Sequence, residues 1–426
     1  MNDRYDIAVI GGGPAGLAAA IEARKRGVPR VLVIERNDQL GGILPQCIHN
    51  GFGAKIFGED LPGPLYAHRF AEEAKASGAE FMLGTMAMGI TPDLKLYAAN
   101  HERGYFQIEA GAVVLAMGCR ERTRAQIKIP GTRPAGVFTA GTVQRFVNIE
   151  GFMPGAKFVI LGSGDIGMIM ARRLTLEGAK VLKVVEILPF LTGLRRNYVQ
   201  CLKDFDIPLE LSTTVKRIIG RERVEAVETA LVDHELKPVP GTEETIDCDT
   251  LLLSVGLIPE NELSLRAGVE LDPITGGPYV DNNMATNVPG IFAAGNVVSI
   301  YDLADEVSNA GYIAGASAAE WITGGKTPMR NYAVLMPGEN VRSIVPQRIE
   351  LSGGEDVPLM LRSSKVFEGK VRVVMTNCGG EIGSFPRKYA RPAEMIGVDL
   401  KIAEFARKLK SSELPVIVSI VPREAE

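Results

Sequence analysis

The sequence predicts an α/β fold in which two β-α-β units, each turning through a glycine-rich loop, are followed by a smaller strand-rich tail. In the first unit an apolar run, Ile7 to Ile10, passes through glycines into an alanine-rich stretch, Ala15 to Arg26. Gly27 supplies a left-handed helix stop, and Val31 to Glu35 reads as the next strand. The order recurs from Phe158: Val159 to Leu161, the turn GSGDIG, a helix ending near Gly178, and a strand from Val181 to Glu186. This is a repeat of function without close sequence identity. The proline- and glycine-rich loop around Pro130, Gly131, Pro134 and Gly136 reads as a crossing between domains. From about Lys326 onward, glycine turns separate short β-type runs (Val341 to Val345, Lys370 to Met375, Pro415 to Val421), with one amphipathic helix near Leu400 to Leu409.

A chain of 426 residues is too long for one ordinary core, so two or three domains are expected. Hydrophobic residues at 46% and charged residues at 23% are ordinary for a soluble protein. A formal net charge of -4 provides no basic field for nucleic acid. The run from Ile7 to Ala20 follows Asp3 and Asp6 and is broken by glycines and a proline, which fits strand, turn and helix better than a signal peptide. No apolar stretch reaches the roughly 18 residues of a membrane span, so a cytoplasmic protein is expected. Cys47, Cys119, Cys201, Cys248 and Cys378 are scattered, odd in number and contain no C-x-x-C pair. That argues against a disulfide framework, a zinc ribbon or an in-chain iron–sulfur cluster, and no metal site is expected.

The first turn, GGGPAG from Gly11 to Gly16, follows a strand, opens a helix and is answered by an acidic strand end at Glu35. A bare G-x-G-x-x-G is weak, but this full context is what a Rossmann-like dinucleotide fingerprint requires. Gly11 permits the tight turn, Gly13 lets the backbone approach a pyrophosphate, and Gly16 lets helix pack on strand. Pro14 and Ala15 open the helix, proline being suited to a position whose N–H has no intrahelical partner. The first-turn N–H groups and the positive dipole end then face the pyrophosphate. Glu35, with Arg36 beside it, is placed to bind the adenosine ribose hydroxyls.

The second turn (Gly162, Gly164, Asp165, Ile166, Gly167) has its acidic strand end at Glu186. A carboxylate there repels a ribose 2′-phosphate, and the following ILPFL offers no arginine to bind one, so NAD is favoured over NADP. Arg195 and Arg196 lie near in sequence and temper that preference.

These two fingerprints, with Gly41-Gly42 after the first and TNVPGIFAAGN (Thr286 to Asn296) near the close, resemble the two-dinucleotide-binding flavoproteins typified by thioredoxin and glutathione reductases. The resemblance covers roughly Tyr5 to Gly325. It implies two interleaved Rossmann-like dinucleotide-binding domains (FAD and NAD) plus a small strand-rich C-terminal domain: 1–120 with 262–327 for FAD, 121–261 for NAD, and 328–426 as the tail. Ala116-Met117-Gly118 and Ser254-Val255-Gly256 look like the short crossing motifs at the junctions. It also implies FAD contacts from Gly42, Ala116, Gly118, Gly295 and Asn296. Asn296 stands where the family has an aspartate; it can still accept a ribityl hydrogen bond but carries no charge. The helix from Ala304 to Thr323 is dense in small residues, which would let it lie close to the flavin ring or to another helix, and its N-terminal dipole would stabilise a reduced flavin.

Disulfide reductases of that family carry a redox cysteine pair, which is missing here. Instead ILPQCIHNGFG, from Ile43 to Gly53, puts Cys47 and His49 near the expected isoalloxazine. A thiol beside an imidazole can be held as thiolate and cycle through sulfenic acid, although a free cysteine commonly only packs. His49 is either a polar wall or proton donor near the flavin, or a structural histidine. The same segment, with PGENVRSIVPQRI (Pro337 to Ile349) and RPAEMI (Arg391 to Ile396), resembles a narrower group: FAD/NAD subunits that accompany glycerol-3-phosphate, opine, proline or sarcosine dehydrogenase subunits. That resemblance implies an oligomer in which a second flavoprotein oxidises the substrate, a small cysteine-rich protein often accompanies it, and this chain exchanges hydride between NAD(H) and FAD. Two other readings stay open: a self-contained NADH oxidase or peroxidase using Cys47, and an NAD-responsive flavin-binding interaction protein.

Overall fold

A computed structural model of the chain describes residues 3–324, 332–352 and 356–423. The start of the tail near Lys326, and with it the expected boundary at 327/328, lies outside the described residues. The chain divides into two compact units, one formed by Met1–Cys119 with Pro259–Glu426 and the other by Arg120–Ile258.

The first unit is built on a parallel sheet in the order Glu80–Met82, Val31–Ile34, Arg4–Ile10, Gly104–Leu115 and Ile291–Ala293. Ile7 pairs with Val31, Ile10 with Leu115, and Val113 with Ile291. Such strands read as unbroken apolar runs because both faces are covered: all of Val31–Ile34 is buried. The strand Gly104–Leu115 also pairs antiparallel through its first half with Lys95–Asn100, which extends the sheet to Thr85–Ile90.

The fingerprint helix, Pro14–Lys25, lies on this sheet with proline at its start. Across it runs the small-residue helix, Ala304–Thr323. A Cβ added to Gly311 would fall 2.2 Å from the Ala15 carbonyl oxygen, and one added to Gly315 would fall 2.2 Å from that of Ala19. Residues 311 and 315 therefore step along residues 15 and 19, which makes the two helices parallel and closely packed. Of the two readings of these small side chains, Gly311 and Gly315 meet the one in which the helix packs closely on another helix.

The second unit repeats the construction. Its parallel sheet runs Val137–Thr139, Thr250–Leu253, Lys157–Leu161, Lys180–Val185 and Leu209–Glu210, with the helix Asp165–Leu176 following the glycine turn. An antiparallel sheet of Thr213–Gly220, Val224–Leu231 and Glu244–Asp247 completes it. The Pro130–Gly136 loop belongs inside this unit and is not the crossing between domains. Gly131 bridges to Ile218 and Ala135 to Arg223, while the divide itself falls between Cys119 and Arg120.

The tail, within the first unit, forms two further sheets. One has the order Arg348–Glu350, Tyr332–Pro337, Val416–Pro422, Val371–Asn377, Gly380–Arg387; the other is Val341–Val345, Val357–Ser363, Met395–Leu400. Side chains of both, with Ile402 and Phe405 of the helix Ile402–Lys408, share one buried cluster. Polar contacts fasten it to the nucleotide fold. The Gln347 amide donates to the Val280 carbonyl at 3.1 Å, and Gln347 Oε1 accepts from the Val280 amide at 3.1 Å. Asp302 accepts from Arg362 and from the Met395 amide, each at 2.5 Å. Two of the segments singled out in the sequence, 337–349 and 391–396, thus supply fastening residues.

The glycine–carbonyl contacts are testable because two effects oppose there. Helix propensity alone would make Gly315→Ala more stable by about 1 kcal/mol, whereas a Cβ 2.2 Å from a carbonyl oxygen forces the helices apart. The expected outcome is destabilisation by about 1–3 kcal/mol in urea unfolding. Gly369→Ala, where no atom lies within 4 Å of the new Cβ, should change stability by less than about 0.5 kcal/mol. Unchanged stability in Gly315→Ala would refute the packing argument.

Candidate functional site

In the first unit the glycine turn is closed from three sides. The Gly11 amide donates to the Ile34 carbonyl at 2.9 Å. A Cβ on Gly11 would strike the Ala116 carbonyl oxygen at 2.3 Å, and its φ of +110° is open mainly to glycine. Glu35, only 4% exposed, accepts from the Gly12 amide at 2.7 Å through Oε2 and from Asn37 (amide 2.8 Å, Nδ2 2.9 Å) through Oε1. Gly16 is required by the fold, since its Cβ would sit 1.9 Å from the Gly11 carbonyl oxygen. The Gly41 amide donates to the Gly12 carbonyl at 2.8 Å, laying Gly42 against Gly13. Arg36 follows on the exposed side of the strand end.

Gly13 is the exception, and it tests whether a phosphate ligand fits. Its φ of -81° suits any residue, and an added Cβ would meet only the Gly42 Cα at 3.7 Å. Its amide donates to no group among the described residues. Protein packing therefore gives no reason for glycine at 13. An anion lying against the amide and the first helical turn does, so the residues present fit a dinucleotide pyrophosphate.

The second unit repeats the turn and its buried carboxylate, but Ser254 crowds its second and third glycines, with Ser254 Oγ 2.9 Å from a Cβ built on Gly164. The Gly162 amide donates to Val185 at 2.7 Å, and a Cβ there would fall 2.1 Å from the Ser254 carbonyl oxygen, as Gly11 does with Ala116. Glu186, 3% exposed, accepts from the Ser163 amide (2.8 Å), Ser163 Oγ (2.7 Å) and Thr192 Oγ1 (3.0 Å) through Oε2, and from the Leu188 amide (3.0 Å) through Oε1. In the sequence Ser254 stands out only as part of a crossing motif. Its Oγ accepts from the Gly167 amide at 3.1 Å and lies under the start of the helix, beside Gly164. Asp165 turns its side chain to the 192–197 loop, accepting from the Leu194 amide (2.8 Å) and Asn197 Nδ2 (2.6 Å). Ile166 packs on the unit's core, and Arg195 and Arg196 are exposed.

The closing segment returns to the first turn. Gly295 packs on Ala15, its Cβ position being 2.9 Å from Ala15 Cβ. Asn296 spends both side-chain atoms locally: Oδ1 accepts from the Tyr301 amide at 3.1 Å, and Nδ2 donates to Cys119 Sγ at 3.7 Å. The Gly118 carbonyl accepts from the Glu260 amide at 3.0 Å.

Cys47 follows the short helical turn Leu44–Gln46 and packs on Gly63, whose amide donates to the Cys47 carbonyl at 2.9 Å. Burial pushes its thiol up to about 12, so the thiol form prevails at neutral pH; the expected thiolate is not what this setting favours. His49 directs Nδ1 to the Asn50 carbonyl at 2.8 Å, and its ring lies 5.1 Å from that of Phe52. The end of this segment is clipped to the small-residue helix: the Lys55 amide donates to Asp305 Oδ2 at 3.1 Å, and Lys55 Nζ pairs with Glu306. Asp305 and Glu306 place two carboxylates in that helix's first turn, where they oppose the dipole expected to favour a reduced flavin. Among the described residues no cluster of side chains suits a metal ion, and no helix is long and apolar enough to cross a membrane.

Residues 5–316 match the family described as pyridine nucleotide-disulphide oxidoreductase. The chain is 29% identical over 342 residues to an opine oxidase subunit of Agrobacterium tumefaciens (strain Ach5), covering 75% of this chain and 64% of that protein. It is 30% identical to thioredoxin reductase of Mycoplasmopsis pulmonis (strain UAB CTIP), covering 70% of this chain and 90% of that protein. The crystal structure of T. acidophilum thioredoxin reductase has a similar fold, with a TM-score of 0.63 at 23% identity over 75% of this chain and 98% of that one. The chain spans less than two thirds of the length of several relatives it matches.

The setting of Cys47 makes a kinetic prediction. With the thiol near 12, iodoacetamide should modify Cys47 at pH 7.5 at least about a hundredfold more slowly than a free thiol of ordinary pKa, with the rate still climbing above pH 9. Peptide mapping of the alkylated protein reads it. Rapid modification at neutral pH would contradict it.

Proposed function

This chain belongs to the pyridine nucleotide-disulphide oxidoreductase family, and from that premise we propose that it works as the NAD-facing subunit of a multicomponent dehydrogenase, most directly one oxidising glycerol 3-phosphate. The family uses FAD and NAD(P)H, and the chain is an FAD-dependent oxidoreductase. The observation that carries the finer reading is a pair of equivalent glycine turns, each closed by a buried carboxylate, in a chain whose five cysteines contain no C-x-x-C pair. Electrons gathered here have no cysteine pair to receive them, so the outlet is another protein or a small acceptor.

In this reading the first turn (Gly11, Gly13, Pro14, Ala15, Gly16) holds the FAD pyrophosphate and Glu35 the adenosine ribose. Gly42, Ala116, Gly118, Gly295 and Asn296 border the rest of the ligand. The second turn holds NAD, with Glu186 for its ribose. When bound, FAD supplies the electron-accepting chemistry; the chain's residues orient the two ligands and set the electrostatics. Glu186 supports NAD over NADP because a buried carboxylate with one oxygen already taking three donors favours a ribose diol and repels a phosphate. A place within a larger assembly is also supported by the relative from Agrobacterium tumefaciens, which is itself one subunit of an opine oxidase. The glycerol 3-phosphate assignment rests on the resemblance of segments 43–53, 337–349 and 391–396. The three-domain division, with the tail as a docking or bracing domain, belongs to the same proposal, as do a small cysteine-rich companion and a cytoplasmic location.

Glu186→Ala should lower the preference for NADH over NADPH in flavin reduction by tenfold or more, about 1.4 kcal/mol, as read by rapid mixing; a stronger preference would refute the role of Glu186. The test of the whole reading is reconstitution. The isolated chain should pass electrons from NADH to artificial dyes and leave glycerol 3-phosphate untouched, and adding the partner flavoprotein should link that substrate to NAD reduction. Vigorous oxygen consumption by the isolated chain, with no second subunit bound in native mass measurement, would overturn it.

A further inference from the structure

The two glycine turns share a geometry and differ at one side chain. A Cβ on Gly11 would fall 2.3 Å from the Ala116 carbonyl oxygen, and one on Gly162 would fall 2.1 Å from that of Ser254. Each of these residues follows the strand that pairs with its unit's fingerprint strand: Gly104–Leu115 beside Arg4–Ile10, and Thr250–Leu253 beside Lys157–Leu161. Ala116 and Ser254 are therefore equivalent positions, and Ser254 adds a hydroxyl where the first unit has none.

That hydroxyl has one role filled and one open. Its oxygen accepts from the Gly167 amide at 3.1 Å, one of the first-turn N–H groups that a helix cannot satisfy internally. A serine hydroxyl also carries one proton to donate, and this proton meets no acceptor among the described residues. Ser254 is partly exposed, and its Oγ lies 2.9 Å from the point where a Cβ on Gly164 would stand. Gly164 is the counterpart of Gly13, and its amide likewise donates to no group among the described residues. The hydroxyl therefore borders the flank of Gly164 along which a pyrophosphate would lie, with its proton turned away from the Gly167 N–H.

We propose that Ser254 is a nucleotide-binding residue whose hydroxyl, held by the Gly167 amide, donates a hydrogen bond to the pyrophosphate of the dinucleotide on the second turn. The inference rests on that turn taking the nicotinamide nucleotide. Acceptance from Gly167 fixes the oxygen and leaves the proton for the phosphate, so the hydroxyl passes the polarity of the helix start on to the anion. A hydrogen bond to a charged oxygen is stronger than one between neutral groups, and its loss shows directly as lost affinity. The first turn, with Ala116 in that place, holds its ligand without such a bond.

The test uses the oxidised, FAD-loaded full chain and two redox-inert probes: ADP-ribose, which carries the pyrophosphate, and adenosine, which does not. Both are titrated by calorimetry into wild type and Ser254→Ala; alanine should be accommodated, since Ala116 fills the equivalent place in the first unit. Ser254→Ala should bind ADP-ribose about tenfold more weakly and adenosine within about twofold of wild type, with flavin content unchanged. Ser254→Cys, which keeps the shape with a weak donor, should lose ADP-ribose affinity in the same direction. A hydroxyl that serves only to cap Gly167 would weaken both probes alike, and that result overturns the proposal. Unchanged ADP-ribose affinity overturns it too, as does tighter binding, the outcome if the hydroxyl merely crowds the anion. A wild-type chain that binds neither probe would remove the nucleotide reading of the second turn itself, a result distinguishable from all of these.

Discussion

The first unit depends on two helices approaching until glycine Cα meets carbonyl oxygen. At Gly311 against Ala15, and again at Gly315 against Ala19, there is no room for a methyl group. This contact fixes where the fingerprint helix begins relative to the small-residue helix. The alanines of the fingerprint helix, buried from Ala15 to Ala20, are the other half of the arrangement. Large side chains on either partner would separate the helices.

The strand-end carboxylates are the second constraint. Glu35 and Glu186 are almost wholly buried, and each is held by an amide of its own glycine turn. A buried charge is tolerated only where it is richly hydrogen-bonded, and the turn supplies those donors. The carboxylates therefore fix the turn's shape. The two units differ in the reinforcement: Glu186 adds two hydroxyl donors, from Ser163 and Thr192, whereas Glu35 relies on Asn37.

Much of this was legible in the sequence because a glycine fingerprint is local. Strand, turn, helix and acidic strand end follow one another within about 30 residues, and the structure has them as read, with Pro14 opening the helix. What the sequence left open depends on neighbours far along the chain. Small residues at 310–317 signal a close approach without saying to what, and the answer is a helix some three hundred residues earlier. Prolines and glycines at 130–136 signal a turn but not its location, which the bridges to Ile218 and Arg223 decide. Cys47 beside His49 suggests a reactive thiol until burial is known. The Arg362–Asp302 pair, which ties the tail to the loop just before Ala304, left no local mark at all.

The central claim is that the first glycine turn takes FAD and the second takes the nicotinamide nucleotide. Its most direct measurement compares flavin content and NADH-dependent bleaching in Gly13→Val and Gly164→Val. Position 13 has room for a side chain in the protein itself, and at 164 the added Cβ meets only Ser254, its Oγ at 2.9 Å and its carbonyl oxygen at 3.4 Å, so both variants should fold. The account predicts that Gly13→Val is folded and colourless, while Gly164→Val is yellow and bleaches with NADH at least a hundredfold more slowly than wild type, a loss of about 2.7 kcal/mol. A yellow Gly13→Val protein, or a folded Gly164→Val protein that loses its flavin, would contradict it.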